Sequence, residues 1–133
     1  MKFFKDRRLK KEAAESPPLK KEEWPDHVVT LDEKNFHQFI KKYPLSVVDF
    51  WAAWCGPCKS MTPRLRRLSK IYSGKVAFGK LDVQKNKETA KHYHIQGIPR
   101  MIFFSYGKDI LSITGVRSIG DLKETIDDLL KKN

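Results

Sequence analysis

The chain has 133 residues, 40% of them apolar and 32% charged, with a formal net charge of +11. That length suits one domain with its own core, and no apolar run approaches the ~18 residues of a membrane-spanning helix. Two cysteines, three positions apart, exclude both a multi-disulfide framework and a four-cysteine zinc site.

Residues 1–25 hold eight basic and five acidic side chains, net +3; residues 26–133 carry the remaining +8. Residues 1–25 read as a charged tail, with a marginal helix over 2–15 and then an extended linker. Pro17 and Pro18 interrupt any helix there. The segment lacks the apolar stretch of a secretory signal, and its acids argue against an organellar transit peptide. Trp24 reads as an anchor for the linker. The basic surface reads as a solubilising feature: no nucleic-acid module signature accompanies it, so neither nucleic acid nor membrane is expected as a partner.

From residue 26 the elements alternate. Val28–Leu31 reads as a short strand, and Asp32 as the N-cap of a helix through Lys42 with Phe36, Phe39 and Ile40 on one face. Leu45–Ala52 is an almost continuous apolar run, the pattern of a strand buried on both faces, broken only by Asp49. Cys55-Gly56-Pro57-Cys58 opens a helix to about Ser73, kinked at Pro63. Val76–Val83 is a second buried strand. Asn86–Tyr93 is a short helix with Ala90 and Tyr93 inward. Met101–Phe104 and Ile110–Thr114 form a hairpin around Tyr106-Gly107-Lys108. Ser118 caps a last helix that turns Leu122, Ile126, Leu129 and Leu130 inward. The order β-α-β-α-β-α-β-β-α predicts an α/β layered sheet with mixed strand directions.

The cysteine pair carries the chemistry. Thiols at i and i+3 in the first turn of a helix lie on one side of it, close enough to bridge. The free N–H groups and partial positive charge of the helix N-terminus favour a thiolate on Cys55, the sulfur read as more exposed. Cys58, one turn deeper, is placed to resolve a mixed disulfide. Gly56 allows the tight turn, and Pro57 pre-sets φ at the helix start. Two other readings are half of a zinc site completed by His92 and His94, whose spacing is unusual for zinc, and a static structural bridge.

The segment Val47-Val48-Asp49-Phe50-Trp51-Ala52-Ala53-Trp54-Cys55-Gly56-Pro57-Cys58-Lys59 resembles the active-site segment of the thioredoxin family. The resemblance continues through Pro63, the strand Gly79-Lys80-Leu81-Asp82-Val83, Gly97-Ile98-Pro99 and Gly115, and spans about residues 27–133. It implies a thioredoxin-like domain over 26–133, with a central mixed sheet flanked by helices on both faces. It also implies a dithiol–disulfide oxidoreductase that reduces protein disulfides through Cys55 and Cys58. Such a protein is expected to be monomeric and cytoplasmic, to receive electrons from a thioredoxin reductase or equivalent, and to need no metal and no cofactor beyond its own redox-active disulfide.

The resemblance also assigns roles. Asp49, a carboxyl inside an apolar strand, is expected to be buried with a raised pKa, and the resemblance gives it proton transfer with Cys58. Lys80 is the lysine near this aspartate, opposing that rise in pKa. Trp54, Gly56, Pro57, Ile98, Pro99, Arg100 and Gly115 line the implied substrate groove. Trp54 is expected to form an apolar lid and Trp51 to support the core. The Ile98–Pro99 bond is expected to be cis, with the backbone before it free to pair with an extended substrate. Two positions depart from the family pattern: Ala53 replaces a residue that is often acidic or otherwise polar, and Arg100 replaces the usual threonine, placing a positive charge at the groove rim. An adaptor that uses the same fold only to dock partners through its basic tail is the alternative.

Overall fold

The computed structural model describes residues 17–132. The helix expected over 2–15 lies outside the described residues. The strands are β1 (Val29–Leu31), β2 (Ser46–Trp51), β3 (Ala77–Asp82), β4 (Arg100–Ser105) and β5 (Lys108–Thr114). The helices are α1 (Phe36–Lys42), α2 (Gly56–Ile71), α3 (Lys87–His92) and α4 (Ile119–Lys132). The expected sequence of elements is present.

One five-stranded sheet runs in the order β1-β3-β2-β4-β5. β1 and β2 both pair parallel to β3, while β4 pairs antiparallel to β2 and β5 antiparallel to β4. β2, in the middle of the sheet, is paired on both edges and buried on both faces, which is why its sequence reads as one apolar run. Its residues alternate between two cores. Val47 faces a core made with Met61, Leu65 and Leu68 of α2 and Leu122 and Ile126 of α4. Val48 and Phe50 face Phe36, Phe39 and Ile40 of α1, with Tyr93 partly buried beside them.

Two local features differ from expectation. Asp32 does not cap α1: its Oδ1 accepts from the backbone N–H of Lys34 (2.8 Å) and Asn35 (3.0 Å), forming a turn, and the helix starts four residues later behind Asn35. The stretch before the domain is not uniformly extended. Lys21–Glu23 make a 3₁₀ turn, closed by Glu23 Oε1 accepting from the Lys20 N–H (3.1 Å). Trp24 then stacks on Tyr43 with ring centroids 5.1 Å apart, and Leu19 packs on the same core. The hairpin turn is Tyr106-Gly107, with φ of 45° and 90°, the double positive φ of a two-residue type I′ turn. A side chain at Gly107 would also collide with Lys41, whose Cγ lies 2.9 Å from the position of a Cβ. Among the described residues no helix is long and apolar enough to cross a membrane.

Candidate functional site

β2 ends at Trp51 and α2 begins at Gly56, so the short link between them lies at one end of the sheet. Within it Cys55 is the N-cap of α2. Its N–H bonds to the Ala52 carbonyl (3.1 Å), and its Sγ accepts from the Cys58 N–H (3.2 Å). Pro57 occupies the first turn, where a missing N–H costs nothing. Cys55 and Cys58 form a disulfide with Cα atoms 5.3 Å apart. Both are buried, at 4% and 2% exposure, so the difference expected between the two sulfurs is slight. They pack with Ala52, and Trp51, Val83 and Ile98 close over this small cluster.

Ile98 brings the loop before β4 to the disulfide. Its bond to Pro99 is cis, and the Pro99 carbonyl accepts from the N–H of Gly115 (2.8 Å). Gly115 adopts φ 94°, open to glycine without strain. Trp54 is 67% exposed and therefore forms an open apolar surface beside Cys55 rather than a lid. Arg100, at the first position of β4, donates from Nε to Ser112 Oγ on β5 (2.8 Å), which directs its side chain along the hairpin.

Asp49 and Lys80 are register partners on β2 and β3 and face the α2 side of the sheet. Asp49 is 3% exposed, and among the described residues its Oδ1 has no hydrogen-bond partner. Burial pushes its carboxyl up to about 7, and the charge of Lys80 opposes that rise. Lys80 Nζ lies 5.8 Å from the centroid of the Trp51 ring, which links the lysine to the tryptophan that covers the disulfide.

A cavity of about 300 Å³ reaches Asp49 and Lys80 between α2 and the start of β1. Thr62, Arg66 and Lys70, spaced four apart on α2, line it with His27 and Ser69. Sequence reasoning did not single out these residues. The i, i+4, i+8 spacing was visible, but not that this stripe faces the aspartate. Among the described residues no group of three or more His, Cys, Asp or Glu side chains is arranged to hold a metal ion, and His92 and His94 do not complete a site with the cysteines.

Comparison with known proteins gives a consistent picture. The family model described as Thioredoxin matches residues 27–128. The chain is 38% identical over 102 residues to a thioredoxin of Buchnera aphidicola subsp. Acyrthosiphon pisum, covering 76% of this chain and 94% of that protein. It is 37% identical over 103 residues to a thioredoxin of Alicyclobacillus acidocaldarius, covering 77% and 98%. Among solved structures, a point-mutant thioredoxin from Halobacterium salinarum superposes with a TM-score of 0.74 at 25% identity, covering 79% of this chain and 92% of that one. A chain from a structure concerned with thiol resolution in yeast mitochondrial 1-Cys peroxiredoxin via glutathione/thioredoxin systems matches with a TM-score of 0.69 at 32% identity, covering 76% and 94%.

Proposed function

The chain belongs to the thioredoxin family and is a thiol–disulfide oxidoreductase that reduces protein disulfides, and from that premise we propose how its residues divide the reaction. Cys55 is the nucleophile. In the reduced protein its thiolate attacks one sulfur of a partner's disulfide. The partner's S–S bond breaks, a mixed disulfide forms on Cys55, and the first partner sulfur leaves and takes a proton. Cys58 then gives its proton to the Asp49 carboxylate and attacks Cys55 Sγ. The mixed disulfide breaks, the second partner sulfur leaves as a thiol, and Cys55–Cys58 is left oxidised. The partner gains two electrons and two protons, and no bound cofactor takes part.

The observation that carries this reading is the Cys55–Cys58 bridge at the N-terminus of α2, with Cα atoms 5.3 Å apart. The helix end stabilises a thiolate there. The position of Asp49 under α2, with its carboxyl near 7, supports proton exchange at neutral pH. Lys80 tunes that carboxyl electrostatically. Trp54, Gly56, Pro57, Ile98, Pro99, Arg100 and Gly115 form the surface against which the partner chain lies.

Electrons reach the disulfide from a thioredoxin reductase or an equivalent donor. The protein acts as a cytoplasmic monomer in redox homeostasis, and the catalytic domain covers 26–133 with 1–25 as its extension. An adaptor that only docks partners has no use for a bondable cysteine pair. The test is reduction of insulin by the full chain supplied with dithiothreitol. Turnover that disappears in Cys55→Ser supports the assignment, and turnover that persists overturns it.

A further inference from the structure

The segments that meet around the disulfide carry charge of one sign. Residues 52–60, 95–100 and 114–118 include Lys59, Arg100 and Arg117 and no Asp or Glu. They are far apart in sequence, but the fold draws them together. Ile98 packs on the cysteine pair, and Gly115 N–H is bonded to the Pro99 carbonyl. Two of the large apolar side chains that stand most exposed, Trp54 at 67% and Val116 at 39%, lie in the same segments. The charged side chains of these three segments are therefore all cations, set beside exposed apolar residues.

Arg117 is the cation at the Gly115 end of this surface. Its Nη1 would lie 3.5 Å from a Cβ at Gly115 and donates to the Val116 carbonyl (3.1 Å). Its own carbonyl accepts from Arg64 Nη1 on α2 (3.2 Å), so the loop is tied to the helix that carries Cys58. Arg100 is turned along the hairpin by its bond to Ser112. Asp121, Glu124 and Asp128 of α4 share a shallow cavity with Arg117 and moderate its charge, though they lie outside the three segments in sequence.

We infer that this surface selects disulfide partners carrying acidic side chains next to their reactive disulfide, with Arg117 as the specificity-determining residue; this rests on the disulfide-reductase reading above. Opposite charges at an encounter surface raise the association rate more than the final affinity, and salt screens them.

The experiment mixes the pre-reduced full chain with three disulfide peptides that differ only in two flanking residues, both Glu, both Gln or both Lys. The second-order rate is followed at low and high salt. The Glu peptide reacts roughly tenfold faster than the Lys peptide at low salt, and the gap closes to about twofold at high salt. Arg117→Gln lowers the Glu-to-Gln rate ratio about threefold, while Arg117→Lys keeps it. Lys41→Gln, which removes the same charge at the hairpin end of the molecule, leaves the ratio at its parent value. Equal rates for the Glu and Lys peptides at low salt, with the Gln peptide reduced normally, overturn selection by charge. A parent-like ratio in Arg117→Gln overturns the assignment of Arg117. Failure to reduce any of the three peptides overturns the disulfide-reductase reading and the inference with it.

Discussion

The two faces of the sheet solve burial differently. Under α1 the core is largely aromatic: the Phe36 ring has Tyr93, Phe104 and Phe50 at centroid distances of 5.5, 5.9 and 6.3 Å, and Phe39 meets Tyr43 at 5.3 Å. Under α2 and α4 it is mostly aliphatic and sulfur-containing, with Leu65, Leu68, Met61 and Met101. On that face Asp49 and Lys80 interrupt the core beside an open cavity. Interlocked rings stabilise by area and by edge contacts and bring few polar atoms that need partners. The second face accepts a buried carboxyl without a hydrogen bond at Oδ1, an arrangement that costs stability. One face is built for cohesion, and the other gives up cohesion around a buried carboxyl.

The largest effect belongs to the reactive end. Cys55→Ser abolishes insulin reduction, whereas Cys58→Ser still attacks and accumulates a mixed disulfide, visible as a shifted band on a non-reducing gel. A Cys58→Ser protein that releases its partner as fast as the parent would contradict the division of roles.

Next is the aromatic face, where Phe36→Ala costs about 3–5 kcal/mol of unfolding free energy, read from urea denaturation. Turnover per folded molecule stays at the parent value. A loss below about 1 kcal/mol would mean that the rings do not carry cohesion as described.

Asp49→Asn tests the opposite face, and its sign can be worked out. The folded carboxyl titrates near 7 and the unfolded one near 3.8. The folded state therefore holds a proton that the unfolded chain has released. The stability contribution is fully present below about pH 4, falls as pH rises toward 7, and is level above that. At about 1.36 kcal/mol per unit the whole span amounts to at most about 4 kcal/mol. Asp49→Asn removes this slope and is the more stable protein at pH 8, as urea melts at pH 4, 6 and 8 will report. The same variant slows resolution of the mixed disulfide roughly a hundredfold or more and loses the rate inflection near neutral pH. Parallel stability profiles for variant and parent would remove the burial cost from this face.

The smallest effect is at Trp24. Trp24→Ala loses the half-buried stack on Tyr43 and lowers unfolding free energy by about 1–2 kcal/mol, with insulin reduction unchanged. Reduced turnover in this variant would connect the packed N-terminal stretch to the reactive end.

Much of this contrast was legible in the chain. The apolar run around β2 announced a doubly buried strand, and a single aspartate inside it announced a costly carboxyl. Gly107 in a short polar interval marked the hairpin, and Cys55 and Cys58 marked a helix start. The start of α1 was not legible, because Asp32 is a good cap by type and only its bonds to Lys34 and Asn35 show it closing a turn instead. The cavity beside Asp49 was hidden because His27, α2 and β3 contribute to it from distant parts of the sequence. Arg117 looked like any loop arginine. The lack of acids in its segment could be counted, but the meeting of that segment with Pro99 is a tertiary fact.

Tyr43 and Cys55 bracket β2 from opposite ends, and a six-residue strand holds them roughly 20 Å apart. Trp24 grips Tyr43, and the Tyr43 carbonyl accepts from the hairpin N–H of Tyr106 (3.0 Å). The polypeptide thus enters the domain by a handle at the end away from the blade. A pull on the chain at Trp24 is therefore borne by Tyr43 and the hairpin, at the end of the sheet opposite Cys55.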